Sequence, residues 1–312
     1  MTDHAHPAGS PAASSPTTTR RTVISGDLPL AVWQTRAIGP PVVFVHGFPD
    51  THTVWDPVVH RLQDRFHCVT YDVRGAGESG VPERQDDYAI AHLVRDLAVV
   101  IDVVSPDRPV HLVGHDWGSI QAWEAVIRET SDPRFSGRIA TYTTISGPCL
   151  DHVHAFSRSA RRGSWQLRRQ GLHQLLHSWY IFAFQLPRLP EFLLRRHHGS
   201  LQTGGGRCSH FGPTLPDDAV NGLNLYRANI FARRERVPGG ATTDLPVQLI
   251  VPLRDKYVLP QLTHDLHRFA SDLTRLEIDA GHWVPQSRPG EVAAALAGFV
   301  SAHDMGPRGP YP

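Results

Sequence analysis

Lysine is almost missing from this chain: Lys256 is the only one, and arginine supplies the rest of the basic side chains. That skew reads as the mark of a genome rich in G and C rather than as a functional device. Cysteine is scarce as well. Cys68, Cys149 and Cys208 make no disulfide framework and their spacing fits no metal knuckle, so reduced thiols in a cytoplasmic protein are expected, without a metal site. No apolar run approaches the roughly 20 residues that cross a bilayer, so no membrane span is expected. Met1 to Thr19 is rich in Pro, Ser, Thr and Ala but has no apolar h-region. It is read as a disordered tail over 1–19, not a secretory signal. The Gly- and Pro-rich end, 304–312, is expected to be loose too. An excess of one charge is also lacking: the net charge is +1. No whole-molecule field therefore points to nucleic acid or to an anionic membrane surface.

What is present is ordinary for a globular chain of 312 residues, with 40% apolar and 20% charged residues. From Pro41 onward, short apolar runs alternate with helical patterns, which argues for an α/β fold with a mostly parallel sheet. Val42-Val43-Phe44-Val45, Cys68-Val69-Thr70-Tyr71 and Val110-His111-Leu112-Val113 read as buried strands. Between the last two, Ile90, Leu93, Leu97, Val100, Ile101 and Val104 repeat at helical spacing. Upstream, Thr22–Ser25 and Leu30–Thr35 flank Gly26-Asp27, a hairpin at the sheet edge. After Ala140–Ile145 the alternation breaks. It resumes with Val247–Val251, a helix near Gln261–Phe269, a strand near Leu273–Ile278 and a last helix at Glu291–Ser301. The reading is a core in two pieces, 20–146 and 241–303, interrupted by a helical cap over 147–240. No internal repeat is visible.

Gly114-His115-Asp116-Trp117-Gly118 directly follows one of those strands and precedes a helical pattern. This is G-x-nucleophile-x-G, the sharp strand-to-helix elbow, with Asp where Ser is usual. Its glycines let strand and helix backbones approach closely. The side chain is then set at the C-terminal edge of the sheet, where open α/β folds bind ligands. A carboxylate changes the chemistry. Ser attacking a saturated carbon forms an ether, which water does not readily cleave, whereas Asp forms an ester, which water does cleave. Asp116 thus points to substitution at an sp³ carbon through an alkyl-enzyme ester.

The remaining parts of a catalytic triad follow in chain order. His282, in Gly281-His282-Trp283 after the last core strand, is placed to act as general base on water. Asp255, ending the run Val247–Arg254, is the carboxylate to orient it, with Asp151 as runner-up and Asp279 too close in sequence to reach the ring. His46-Gly47-Phe48-Pro49 follows the third strand, so the backbone N–H groups of Phe48 and Trp117 are expected to form an oxyanion hole. The His pairs His197-His198 and His152 with His154 lack a ligand set and are read as solvated, as is the arginine run Arg158, Arg161, Arg162, Arg168 and Arg169. Gly204-Gly205-Gly206 has no strand before it and no Lys-Ser/Thr after it, which argues against a phosphate cradle.

Together these stretches resemble the epoxide hydrolases of the α/β-hydrolase fold, and the related haloalkane dehalogenases, over roughly Val23 to Val300. The resemblance is densest at V-F-V-H-G-F-P, at Y-D-V-R-G-A-G-E-S (Tyr71–Ser79) and at V-G-H-D-W-G. It is particularly similar to the hydrolase half of actinobacterial fusions with a short-chain dehydrogenase, with no second domain read in these residues. The resemblance implies an eight-stranded, mostly parallel sheet with helices on both faces, and a cis Phe48–Pro49 bond in the tight oxyanion loop. It also implies two ring-opening tyrosines from the cap: Tyr180, in Trp179–Pro187, and Tyr226, in Asn224-Leu225-Tyr226-Arg227-Ala228-Asn229. Ser119 departs from the pattern, since many relatives carry a second Gly there; being small, it is expected to matter little.

The chemistry agrees with the epoxide side of the group. Opening an epoxide creates an alkoxide, and a phenol of pKa ~10 stays protonated at neutral pH yet is a far better acid than water. Halide release needs N–H donors instead. Trp117 offers one, but Phe48 stands where many haloalkane dehalogenases carry a halide-binding Asn. Fluoroacetate dehalogenases carry Arg after the nucleophile and Trp in the lid, where this chain has Trp117 and Tyr180. The expectation is an epoxide hydrolase turning an apolar epoxide and water into a diol, with no cofactor and no nucleic-acid partner. The alternatives are a haloalkane dehalogenase using the same Asp116, and a slow-turnover ligand-binding protein.

Overall fold

The computed structural model describes residues 16–203, 210–232, 237 and 240–304, with side chains left aside at 197–203. Eight strands form one sheet in the order β1-β2-β4-β3-β5-β6-β7-β8. They are β1 (Thr18–Ser25), β2 (Leu28–Thr35), β3 (Pro41–Val45), β4 (His67–Tyr71), β5 (Val110–His115), β6 (Ile139–Ile145), β7 (Val247–Pro252) and β8 (Leu273–Ile278). β2 pairs antiparallel with both β1 and β4, and every other pairing is parallel. The first hairpin strand thus begins at Thr18, inside the stretch read as tail, because the register runs on from Ser25–Leu28 to Thr18–Thr35.

The central strands are apolar on both faces, and their period of two sorts them between two cores. Val43, Val45, Val69, Leu112 and Leu249 face one layer, and Val42, Phe44, Cys68, Val113 and Ile250 face the other. α2 (Ile90–Val104) and α3 (Trp117–Val126) cover the first face; α1 (Asp56–Leu62), the short α9 (Val284–Ser287) and α10 (Pro289–His303) cover the second. The helix expected near Gln261–Phe269 is instead two single 3-10 turns, Pro260–Thr263 and Leu266–Arg268. The chain is pulled out of helical geometry there because Phe269 and Ser271 hydrogen-bond with Thr243, at 2.8 and 3.3 Å.

Between β6 and β7 the cap contributes α4 (Leu150–Arg162), α5 (Trp165–His177), α6 (Trp179–Ala183), α7 (Leu189–Thr203) and α8 (Leu215–Asn229). His152, read as solvated, is buried instead: its ring stacks on Phe269 with centroids 4.0 Å apart, and Nε2 donates to the Ala241 carbonyl at 2.7 Å. It pins the start of the cap to the second core segment. The five arginines of α4 and α5 are exposed as expected. His197-His198 side chains, Cys208 and the triple Gly lie outside the described residues.

Strand order reverses between β3 and β5, since the chain moves from β3 outward to β4 and then returns to the other side. Such a switch point opens a crevice at the carboxyl ends of the two strands. Those ends carry His46–Pro49 and Asp116.

Candidate active site

Asp116 begins α3 with φ 52° and ψ −123°, a left-handed backbone that is rare for any residue but Gly. Two hydrogen bonds of 3.0 Å hold it there, Asp116 N–H to the Ile145 carbonyl and Ile120 N–H to the Asp116 carbonyl. The flanking contacts leave no room for side chains. A Cβ on Gly118 would lie on the Val45 carbonyl oxygen, and one on Gly47 would lie on the Asp116 carboxylate. Ser119, expected to be inert, is a buried polar hub: its Oγ donates to the Gly147 carbonyl at 2.7 Å and meets the hydroxyls of Tyr142 and Thr144 at 2.7 and 2.6 Å. It ties the elbow helix to β6.

Two candidate groups converge on the Asp116 carboxylate. Phe48 N–H, just ahead of a cis Phe48–Pro49 bond as expected, donates to Oδ1 at 2.8 Å. His282 Nε2 lies 3.6 Å from Oδ2, and its Nδ1 meets Asp255 Oδ2 at 2.9 Å. Asp255, not Asp151, is therefore the partner of the imidazole; Asp151 sits in the first turn of α4, and Asp279 pairs at the surface with Arg254. The other Asp255 oxygen accepts from the N–H groups of Tyr257 and Val258, at 2.8 and 3.1 Å. Burial opposes charge on His282, but Asp255 and then Asp116 outweigh it and raise the imidazole to about 10. Burial likewise pushes Asp255 up, and the His282 charge more than offsets this, holding it below the usual range.

Tyr226 on α8 and Tyr180 on α6 face each other with ring centroids 6.0 Å apart. Burial raises both phenols well above their ordinary value, and the Asp116 charge adds to it, so both side chains are protonated donors beside that carboxylate. The Trp117 ring lies edge-on to Tyr226, with centroids 5.0 Å apart. Flanking residues fix the two tyrosines. Asn229 accepts from Ile90 N–H at 2.7 Å and donates to the Tyr88 carbonyl at 2.9 Å, anchoring the end of α8 to the core. Arg227 donates to the Phe184 and Leu186 carbonyls and pairs with Glu191 at 2.7 Å, clamping the segment after Tyr180. Phe48 and Phe184 close an aromatic box around Tyr226.

Several contributors were not read from the sequence. Tyr257 lies edge-on to Tyr180 and to His282, at 5.6 and 4.9 Å between centroids. Gln174 of α5 donates to the Tyr257 carbonyl at 2.9 Å and accepts from Leu259 N–H at 3.1 Å, so the Asp255 loop is tied to the cap. Asp50, fully buried, receives Trp283 Nε1 at 3.1 Å and His210 Nε2 at 2.7 Å, with His115 Nδ1 at 3.6 Å. Burial pushes its carboxyl up, and the two histidines outweigh that and hold it well below the usual range. The position directly after His46–Pro49 was the available signal for Asp50; no local pattern marks the other two. The thiols of Cys68 and Cys149 are buried and pushed up to about 12, so neither is a thiolate nucleophile at neutral pH. Two cavities, of about 450 and 580 Å³, flank α4, and neither is lined by Asp116.

Residues 40–289 match the alpha/beta hydrolase fold family. A protein of Mycobacterium tuberculosis named probable oxidoreductase EphD is 38% identical over 85% of this chain. The match spans 46% of that relative, so the chain covers about half its length. Epoxide hydrolase A of the same organism is 28% identical over 92% of this chain and 98% of its own. Among solved structures, an epoxide hydrolase from metagenomes of hot environments superposes with a TM-score of 0.72 at 25% identity, covering 92% of this chain and all of the other. The Bacillus megaterium epoxide hydrolase bound to an inhibitor, at 21% identity and TM-score 0.73 over 90% of this chain and all of the other, shares the fold.

Proposed function

Because the chain belongs to the α/β-hydrolase fold family, and within it to the epoxide-hydrolase group, we propose that it hydrolyses an epoxide to a vicinal diol through an ester on Asp116. The observation that carries this reading is the pair of cap tyrosines, Tyr180 and Tyr226, packed edge to face with centroids 6.0 Å apart and raised in pKa in part by the Asp116 charge on the nucleophile elbow. In the first step an Asp116 oxygen attacks a ring carbon and the ring C–O bond breaks. The leaving oxygen takes a proton from one phenol, leaving an alkyl ester and a phenolate.

Esterification removes the Asp116 charge, one of the two that raise His282. The imidazolium then gives its proton back to the phenolate and becomes a neutral base, oriented by Asp255. It takes a proton from water as water attacks the ester carbonyl, and the Phe48 and Trp117 N–H groups hold the tetrahedral oxyanion. Collapse releases the diol and restores carboxylate, imidazolium and phenols, so the protons balance over the cycle. No cofactor or metal takes part in these steps. The test is diol formation from a panel of aryl and alkyl epoxides by wild type but not by Asp116→Ala. Bromide release from bromoalkanes without diol formation would assign a dehalogenase instead, and tight saturable binding with negligible turnover a ligand-binding protein.

A further inference from the structure

The net charge of +1 conceals a segregation within the cap. Between Asp151 and Glu191 the chain has no acidic residue, and it carries Arg158, Arg161, Arg162, Arg168, Arg169 and Arg188. The first five are exposed, and no described carboxylate pairs with any of them. The same stretch also leaves large apolar side chains exposed. α5 turns half-buried Gln170, Gly171 and Gln174 inward, and neither it nor α6 has a buried residue. Its outer face holds Trp165, Arg169, Leu172 and Leu176 at helical spacing, continued by Trp179 and Phe182. These apolar side chains are between 52% and 77% exposed. Phe182 reaches Phe231, itself 62% exposed, with ring centroids 5.8 Å apart. An apolar groove of about 580 Å³ between α4, α5 and α6 adjoins this face, lined in part by Leu172, Phe182 and Phe231 together with Arg161 and Arg168.

Scattered exposed hydrophobes need no explanation, but a contiguous apolar face of this kind marks a binding surface. Its chemistry selects the occupant. A second copy seated on this face would bring the two arginine sets together, like charge against like. Tryptophan beside arginine on a helix lying flat is instead the pattern of an interfacial helix, apolar face in the acyl boundary and cations among the phosphates. We propose that the outer face of α5 and α6 docks the cap on an anionic lipid surface. The inference does not rest on the reaction assigned to Asp116, and its test is read without activity.

The full chain is mixed with vesicles of phosphatidylcholine, or of phosphatidylcholine with a third phosphatidylglycerol, and floated. Recovery with the anionic vesicles is expected to exceed recovery with the neutral ones by at least about tenfold, since each arginine at such a surface is worth about fivefold in partitioning. The excess should shrink as salt is raised. Trp165→Ser/Leu172→Ser/Leu176→Ser and, separately, Arg161→Ala/Arg162→Ala/Arg168→Ala/Arg169→Ala should each lose most of the binding while keeping the wild-type far-ultraviolet dichroism and thermal midpoint. Flotation that is absent, equal on both vesicle types, or unchanged in the folded variants overturns the proposal. Concentration-dependent dimers abolished by the serine variant, without vesicle binding, would assign the face to a second copy.

Discussion

His282 stands between two carboxylates, 2.9 Å from Asp255 and 3.6 Å from Asp116, and is protonated at rest. Its folded pKa of about 10 lies above the ordinary imidazole value, so this pairing stabilises the fold most below about pH 6.5. That contribution is lost progressively as pH rises through about 10. The thermal midpoint of wild type should therefore exceed that of His282→Gln by more at pH 6 than at pH 10; a gap independent of pH would contradict the charged pair. The two phenols make a separate prediction. Tyr180→Phe or Tyr226→Phe alone should slow ring opening by less than the ~10²–10⁴-fold that a general acid commonly contributes, because the other hydroxyl still donates. The double variant should lose the whole of it, as read by single-turnover rates. Asp116, His282, Asp255 and Phe48 were legible because each sits in a short motif that follows a strand. Tyr257, Gln174 and His210 were not, since each reaches the site through contacts with elements distant in sequence.

At the level of elements, the elbow and its supports have unequal tolerance. Gly118→Ala should prevent a normally folded elbow, because its Cβ meets main chain at Val45, which cannot move out of a central strand. Ser119→Ala leaves the backbone path intact but strips the Gly147 carbonyl and two hydroxyls of a partner, a loss of roughly 1–3 kcal/mol in chemical denaturation. An unchanged midpoint would contradict the hub. The central strands were readable in the sequence because both of their faces are buried, so their apolar runs are nearly continuous. The segment 261–269 misled because its apolar spacing is helical, yet pairing with Thr243 overrides local preference. His152 misled in the same way: nothing near it signals Phe269, more than a hundred residues on, as its stacking partner.

At the scale of the molecule, one crevice is assembled from three pieces of chain. The first core segment supplies Asp116 and Phe48, the cap supplies Tyr180 and Tyr226, and the second core segment supplies His282 and Asp255. Gln174 and the Asp50–His210 contact bind cap to core on either side of His282. The division of labour among those pieces is what the proposed ester makes measurable. In His282→Gln the ring-opening groups remain, but the base for the second step is gone, so the enzyme should stall after alkylation. Intact-protein mass spectrometry after incubation with an epoxide that wild type converts to diol should show one added substrate mass. Peptide mapping should place it on the fragment containing Asp116, with none in His282→Gln/Asp116→Ala. An inactive His282→Gln enzyme that never accumulates the adduct would instead mean direct attack by water, with Asp116 acting as a base, and would contradict the account.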